Sequence, residues 1–577
     1  MNQSIQTQPP NNVSLLISQS RTNTLGNKTG TWRFVRPKYQ EKTAPCSNAC
    51  PLGIDVAMVE MFASRKNYQN ALHTILMENP FPAICGRVCF HPCESACNRQ
   101  FLDQSVGIHQ IERFVGDWGL SNQQSPIQYP ELNGAKIGII GAGPAGLSAA
   151  YFARRLGYQC DIFEKTNQPG GLLISGIPSY RLPDRILMNE IQRLNDDGIQ
   201  IKYNQSISMD KLATFKQDYD ALFLCCGDTR SITLKIPGEN LAIDGLNLLR
   251  QIRSHEMPSI EGTVAVIGGG NTAIDVARSL LRMGANPIII YRRTRKEMPA
   301  HPHEIDAALD EGITLKECLS PIHIQDETNC LCVTLQVMKA SEISNEGRQS
   351  YIPDGNRREK LQVNHVISAI GAEMDMMWRN DQWDISLSHC RMKQISGLSV
   401  FWCGDLTISD KTVTHALASG KQAVIALDVL RKHGNDEIHK TFHQCKVGNG
   451  QAISFDIYAQ GKRKQRNNNE IVSFEKINAA YFPNIPAVQV NKQSQEAYLN
   501  SFEEVISGFD EKQMIGEASR CFNCGICNDC DTCRIFCPEM AIQWDQNNRH
   551  ILMDYCKGCG ICIAECPRDA MNLEVEP

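Results

Sequence analysis

Near the C-terminal end, Cys527-x2-Cys530-x2-Cys533-x3-Cys537-Pro538 is followed by Cys556-x2-Cys559-x2-Cys562-x3-Cys566-Pro567. Three thiols stepped in this way can grip one face of an iron–sulfur cubane, while the remote fourth cysteine ligates the other cluster. That rule groups Cys527, Cys530 and Cys533 with Cys566, and Cys556, Cys559 and Cys562 with Cys537, one [4Fe–4S] cluster each. Zinc competes for such ligands, but it usually takes separated C-x-x-C pairs and not runs closing in Cys-Pro. Cys521 and Cys524 stand just upstream. They fit three readings: bystanders, part of a shifted ligand set, or donors to a different cluster.

Two glycine-rich turns could cradle phosphates. Gly141-Ala142-Gly143-Pro144-Ala145-Gly146 follows the apolar run Lys136–Ile140 and opens a helix at about Ala145. Gly141 permits the tight turn, Gly143 lets backbone amides approach a pyrophosphate, and Gly146 lets the helix pack on the strand. The next strand, Cys160–Phe163, ends at Glu164, the acidic position about 20 residues on that can bind a ribose hydroxyl pair. Gly170-Gly171-Leu172-Leu173 then suits close passage of the chain past a flat, bulky cofactor. Phe401–Asp405 reads as a strand ending in Gly404-Asp405, with a helix starting near Val413-Thr414. Asp405 could take a ribityl hydroxyl and the helix start a flavin ring oxygen, so the combination predicts FAD.

The second turn, Gly268-Gly269-Gly270-Asn271-Thr272-Ala273, lies between the strand Val264–Ile267 and a helix through Asp275 to Arg282. Ala273 replaces the third glycine and still permits close packing. The following strand, Pro287–Tyr291, ends in Arg292-Arg293 where a ribose-binding acid would otherwise sit. Guanidinium groups there can fork onto a 2′-phosphate, which favours NADPH over NADH.

These motifs need several folded units to position them. The chain has 577 residues, 42% hydrophobic and 21% charged, with a formal charge of −5. That length implies about three or four globular domains. The mixed charge gives no reason to expect nucleic acid or a membrane surface as partner. Of 25 cysteines, most cluster near the two ends in tight steps, which points to metal ligation in a reducing compartment. The first residues lack a basic stretch followed by an apolar one, so no export signal is read, and no apolar run is long enough to span a bilayer. A cytoplasmic protein is expected. The texture predicts an extended arm over 1–40, a helical iron–sulfur domain over 41–130, and a discontinuous FAD-binding domain over 131–235 and 371–435. An NADPH-binding domain over 236–370, a linker over 436–515 and a two-cluster ferredoxin domain over 516–577 complete the chain. The fold class is thus α/β plus α, with two Rossmann-like (glutathione-reductase-type) domains and an α+β ferredoxin-like unit.

Over about residues 40–430 the chain resembles the small (beta) subunit of NADPH-dependent glutamate synthase. The resemblance rests on CSNACPLG, GRVCFHPCESAC, GAGPAGL, GGLLISGIPSYRLP, GGGNTAIDVA, YRRTRKEMPA and the late Gly-Asp motif. The same domain set is similar to the electron-input half of dihydropyrimidine dehydrogenase and to the large subunit of ferredoxin:NADP transhydrogenases. The resemblance makes Gly171, Leu172 and Arg181 candidate cofactor contacts, beside Pro144 and Ala145 of the first turn. It also implies that Cys50, Cys89 and Cys93 with Glu112 hold one [4Fe–4S] cluster, and that Cys46 and Cys97 contribute to a second. Short members of the family carry a further cysteine pair upstream of the position of Cys46, and this chain has none before it. The second cluster is then absent, rebuilt with Cys85 and a non-cysteine ligand, or completed from elsewhere.

The activity so implied is oxidation of NADPH through FAD, with electrons passing through [4Fe–4S] clusters to an electron-accepting protein subunit or ferredoxin in a hetero-oligomer. Candidate acceptors are a glutamate synthase large subunit, a 2-oxoacid oxidoreductase and a sulfur-metabolising reductase. The alternatives are the same path in reverse, reducing NAD(P)+, and a non-catalytic wiring subunit. A redox-disulfide reductase would need a C-x-x-C pair beside the flavin. The nucleotide domains offer only Cys225-Cys226 and Cys330-Leu331-Cys332.

Overall fold

The computed structural model describes residues 28–122, 126–196, 198–256, 258–343, 349–461, 466–490, 499, 501–545 and 548–576. The helical domain begins with Pro45–Ala49, Val56–Ser64, Tyr68–Leu76, Pro82–Val88 and Pro92–Ser95. Three of these helices start on proline, whose fixed φ suits the first turn and whose missing N–H leaves nothing unpaired there. The domain is closed by Ile108–Ser121, which crosses Pro82–Val88 at backbone contact. A Cβ at Gly86 would lie 2.5 Å from Arg113 N, and one at Gly116 would lie 2.4 Å from Ala83 N. Only glycine lets those two helices meet.

The FAD-type fold is a seven-stranded sheet in the order 385–386, 390–395, 398–403, 221–224, 136–140, 159–163, 200–202. The strands from Leu398–Cys403 onward run parallel, and Ala221–Leu224 is buried at every residue, as expected of a strand covered on both faces. Helices Pro144–Arg155 and Val413–His433 pack on each other so closely that a Cβ at Gly420 would stand 2.2 Å from Ala145 O. The second nucleotide fold has a five-stranded parallel sheet in the order 314–316, 286–290, 263–267, 365–368, 243–244. A three-stranded antiparallel sheet of Leu319–Glu327, Cys330–Ile343 and Gln349–Val363 is inserted before its fourth strand in that order.

Two of the expected segments look different in the structure. Residues 1–27 lie outside the described residues, but 28–40 do not form a loose arm. Val35–Tyr39 pairs antiparallel with Met571–Val575, from Val35↔Val575 to Tyr39↔Met571, and so adds a strand to the ferredoxin-like unit. Alternating cations meet alternating acids across that pair: Arg33 with Glu576, and Arg36 and Lys38 with Glu574. Nor is 436–515 a bare linker. It contains the helices Glu437–Gln444 and Phe455–Gln460, and its strand Asn467–Ile471 pairs parallel with Lys42–Thr43. Buried apolar groups along its length, among them Ile438, Phe442, Ile453, Phe455, Ile457 and Val472, anchor it, and Arg466 forks onto Glu41 and Asp55. Its polar composition reflects the large solvent face that remains. Among the described residues no helix is long and apolar enough to cross a membrane.

Candidate redox centres and nucleotide sites

The first glycine turn is built as its sequence requires. Gly141 adopts φ +105°, and a Cβ there would meet Cys225 O at 2.5 Å. Helix Pro144–Arg155 starts directly behind the turn, with proline at its first position. Gly143 and Gly171 face one another: a Cβ at Gly171 would press to 2.9 Å from Gly143 Cα, while one at Gly143 would meet nothing nearer than 3.9 Å. The pair keeps open a cradle that side chains would fill, in front of the helix N-terminus, which fits a pyrophosphate. Glu164 is buried at the same turn. It accepts from Ala142 N at 2.9 Å and from the Thr166 amide and hydroxyl at 2.9 and 2.8 Å, so it braces the loop as well as standing where a ribose would lie. Asp405 lies in the turn Gly404–Leu406 at the end of the neighbouring strand. Burial, reinforced by the charge of Asp228, pushes its carboxyl up to about 6. Leu172 is partly exposed on the same short helix that follows Gly171.

Arg181 departs from expectation. Its guanidinium donates to both oxygens of Asp275 at 2.9 Å and pairs with Glu304 at 2.9 Å. Those acids belong to the second nucleotide fold, so Arg181 ties the two folds together.

At the second turn, Gly270 caps helix Asn271–Arg282, and a Cβ at Gly270 would meet nothing within 4 Å. The open space before those amides suits a second pyrophosphate. Thr272 is half-buried in the first helical turn, and Asn271 accepts from His301 N at 3.0 Å, fixing the loop that carries the arginine motif. Arg292 is exposed and Arg293 half-exposed just beyond the strand Asn286–Ile290. Neither is held in an ion pair with another described residue, which leaves both available to a 2′-phosphate.

The cysteines gather into separate sets. Cys50, Cys89 and Cys93 line one internal cavity with Glu112, Glu60, His91 and Thr414. Asn79 donates to Glu112 at 2.8 Å, and burial pushes the Glu112 carboxyl up to about 7. The Cys89 thiol lies 3.9 Å from the Thr414 hydroxyl and receives the His91 amide at 3.3 Å. Cys85 does not stand with Cys46 and Cys97. It is one helical turn before Cys89, whose amide donates to Cys85 O, and its thiol lies 3.7 Å from Asn79 Oδ1. Four residues along a helix return to the same face, so Cys85 lies behind Cys89, near Cys50 and Glu112 and not beside Cys46 and Cys97.

In the ferredoxin-like unit, Cys556, Cys559 and Cys562 line a cavity with Cys537. Cys533 is close enough to Cys527, Cys530 and Cys566 for their charges to interact. Thus the fourth cysteine of each motif lies with the triplet of the other. Backbone amides of Ala541 and Ala570 reach Cys537 and Cys566 at 3.3 and 3.4 Å, the kind of bond that stabilises thiolates at a cluster. Thiol-rich cavities with such donors fit [4Fe–4S] groups.

Sequence reasoning missed the group His91, Glu94 and His109 beside Cys89 and Cys93, where His109 Nδ1 meets Glu94 at 2.7 Å and the two imidazoles stack at 4.2 Å. Its only signal was a histidine inside the cysteine motif. Also missed was Lys421, wholly buried against Glu78 at 2.7 Å, for which a lysine in an apolar helix was the cue.

Comparisons with known proteins agree with these sites. Residues 135–423 match the model described as pyridine nucleotide-disulphide oxidoreductase. Residues 39–124 match dihydropyrimidine dehydrogenase domain II, 4Fe-4S cluster, and 550–572 match a 4Fe-4S binding domain. The NADP(+)-dependent formate dehydrogenase subunit beta of Moorella thermoacetica is 30% identical over 523 residues, 84% of this chain and 70% of that one. The NADPH-Fe(3+) oxidoreductase subunit beta of Geobacter sulfurreducens is 29% identical, over 85% of this chain and 76% of that one. The NAD-dependent dihydropyrimidine dehydrogenase subunit PreT of Salmonella typhimurium is 30% identical, over 67% of this chain and 90% of that one. With two nucleotide folds and two iron–sulfur domains on one chain, this protein belongs to the pyridine nucleotide-disulphide oxidoreductase family, in its FAD- and [4Fe–4S]-carrying branch.

Proposed function

We propose that this chain is the NADPH-oxidising subunit of a hetero-oligomeric redox enzyme and delivers electrons singly to a partner protein. The observation that carries this reading is the position of Thr414. It stands at the start of the helix assigned to the flavin, and its hydroxyl also lies 3.9 Å from the thiol of Cys89 in the cavity of Cys50, Cys93 and Glu112. Flavin side and cluster side share a wall.

Bound FAD supplies conversion of the hydride pair of NADPH into single electrons, and [4Fe–4S] clusters supply one-electron carriage. The chain's own part is binding, orientation and exclusion of water. Amides of Gly143, Ala145 and Gly146 hold one pyrophosphate and those at Gly270–Thr272 the other, while Arg292 and Arg293 select the 2′-phosphate. Asp405 orients the ribityl chain. Cys50, Cys89, Cys93 and Glu112 would hold an interior cluster, and the two crossed cysteine sets would hold the outer pair. Cys530 and Cys559 are exposed, with Phe536 and Met540 also exposed on the same unit, which suits electron exit to a docked partner. No side-chain nucleophile is required.

The relatives are named as beta subunits of a formate dehydrogenase and of an Fe(3+) oxidoreductase and as a dihydropyrimidine dehydrogenase subunit, which supports a subunit role and leaves the acceptor to be identified. A glutamate synthase large subunit, a 2-oxoacid oxidoreductase, a sulfur-metabolising reductase and ferredoxin are the acceptors to test. Anaerobic affinity isolation should bring down a second chain whose redox centre is reduced when NADPH is added. Isolation of the chain alone, with no protein or ferredoxin reduced by it under NADPH, would overturn the reading.

A further inference from the structure

Cys46 and Cys97 lack two partners in the helical domain, and Cys521 and Cys524 belong to neither tail motif. The fold brings these incomplete pairs together. Asn98, next to Cys97, directs Nδ2 to Cys524 Sγ at 3.5 Å and to Val472 O at 3.0 Å. Asn523, inside the tail pair, donates to Ala57 O at 3.0 Å. Arg99 donates to Arg520 O at 2.9 Å and lies over the Phe522 ring at 5.0 Å. These contacts fix the backbone on both sides of the junction. Cys46, Cys97 and Cys524 are buried in one core, with Cys521 packed against it.

Each of the four thiols is near enough to the other three for their charges to interact. Yet no three of them converge within the 4.8 Å that marks a single-ion site among the described residues. Zinc needs that convergence, whereas a cubane holds its thiolates further apart. The Asn523 amide donates to Cys521 Sγ at 3.3 Å, reproducing the bond from His91 to Cys89, two residues on in each case. Cys521 is thus prepared as a ligand in the same way as Cys89.

We propose that Cys46, Cys97, Cys521 and Cys524 together ligate a fourth [4Fe–4S] cluster, the tail pair standing in for ligands that the helical domain lacks. The proposal rests on the iron–sulfur part of the function proposed above and adds the missing link in its path. Glu60 lines the cavity of Cys50, Cys89 and Cys93 and also faces Cys46, Cys97 and Cys521, so the two interior sites share a wall. On the other side, Cys527 is three positions after Cys524, a span of at most about 11 Å. The junction cluster therefore connects the interior site to the outer pair and staples the two ends of the chain.

Iron and acid-labile sulfide per chain, with integrated electron paramagnetic resonance of the reduced protein, test this. The wild-type full chain should hold about sixteen iron atoms, four per cluster. Cys97→Ser and the double variant Cys521→Ser/Cys524→Ser should each lose about four and lose the same signal, and combining them should remove no more. Full iron in the double variant, or losses that add, would overturn the proposal. Should the variants be recovered without flavin, the wild-type count decides, because about twelve iron atoms would contradict a fourth cluster. Flavin bleaching by NADPH is read separately. Sixteen iron atoms without bleaching would sink the proposed function and spare the site, whereas twelve with bleaching would do the reverse.

Discussion

In the helical domain five of six cysteines are buried and Cys89 is half-buried, on helices and turns spread over residues 46–97. In the ferredoxin-like unit the thiols are set by short local steps, and Cys530 and Cys559 reach the surface. Interior thiols here adjoin the flavin side, and surface thiols face solvent and any partner. The first region is fixed by long-range packing and the second by its own loop geometry. Under the proposed function, the same ligand chemistry would serve as a protected relay in one place and as an outlet in the other.

The largest expected effect breaks the interior region alone. Glu78 and Lys421 form a fully buried pair at 2.7 Å, and Glu78 also accepts from Phe455 N at 2.9 Å and Asp456 N at 3.2 Å. The pair pins the flavin-side helix, the helical domain and the 436–515 segment together. Removing one partner of such a pair costs about 3–5 kcal/mol. Lys421→Met should lower the denaturant midpoint and loosen the helical domain to protease while leaving the ferredoxin-like unit resistant. Equal stability would show that packing alone holds the interior.

Acid should act on the same side. Burial, with a contribution from His415, holds His389 down to about 4 from an ordinary 6.5, and its ring meets Gln422 Nε2 at 2.8 Å. The unfolded chain takes up a proton that the folded one refuses, so this stability is present above pH about 6.5 and is lost as pH falls towards about 4. The full swing is roughly 3 kcal/mol. Melting curves of His389→Asn against wild type should show a shallower fall over that window; parallel curves would contradict it.

A smaller effect is specific to the nucleotide. Arg292→Ala/Arg293→Ala should raise KM for NADPH about tenfold to a hundredfold, since charge-assisted bonds to phosphate are lost. KM for NADH should change little, and dithionite should still reduce the clusters. Equal losses with both nucleotides would remove the 2′-phosphate assignment. The smallest effect tests the outlet. Arg36→Ala removes a half-exposed pair with Glu574 across the added strand, so it should change chelator release of tail iron only slightly, and only at low salt.

How far the sequence could be read follows the same division. The crossed ligand sets of the tail were legible because the rule depends on steps of three residues, and both glycine turns were legible because strand, turn and helix are contiguous. The placement of Arg292 and Arg293 just beyond the second strand followed from the same contiguity. The bridging contacts of Arg181 were not legible because its partners, Asp275 and Glu304, lie in another fold. Cys85 was misplaced because one helical turn ties it to Cys89, not to Cys46. The strand Val35–Tyr39 was missed because its partner lies more than five hundred residues away, although alternating Arg36 and Lys38 mirrored alternating Glu574 and Glu576. The 436–515 segment looked like a linker because its buried apolar groups, from Ile438 to Met514, are spread over short elements and irregular chain and so give no sustained period.

The central claim is that one chain takes paired electrons from NADPH and holds them singly. Anaerobic titration of the isolated chain with NADPH, followed by absorbance and electron paramagnetic resonance together, tests it most directly. Flavin absorbance should bleach and reduced-cluster signals should grow in the same titration, with more than one NADPH consumed per chain. Bleaching that ends at one NADPH per chain, with every cluster still oxidised and reducible by dithionite, would contradict it.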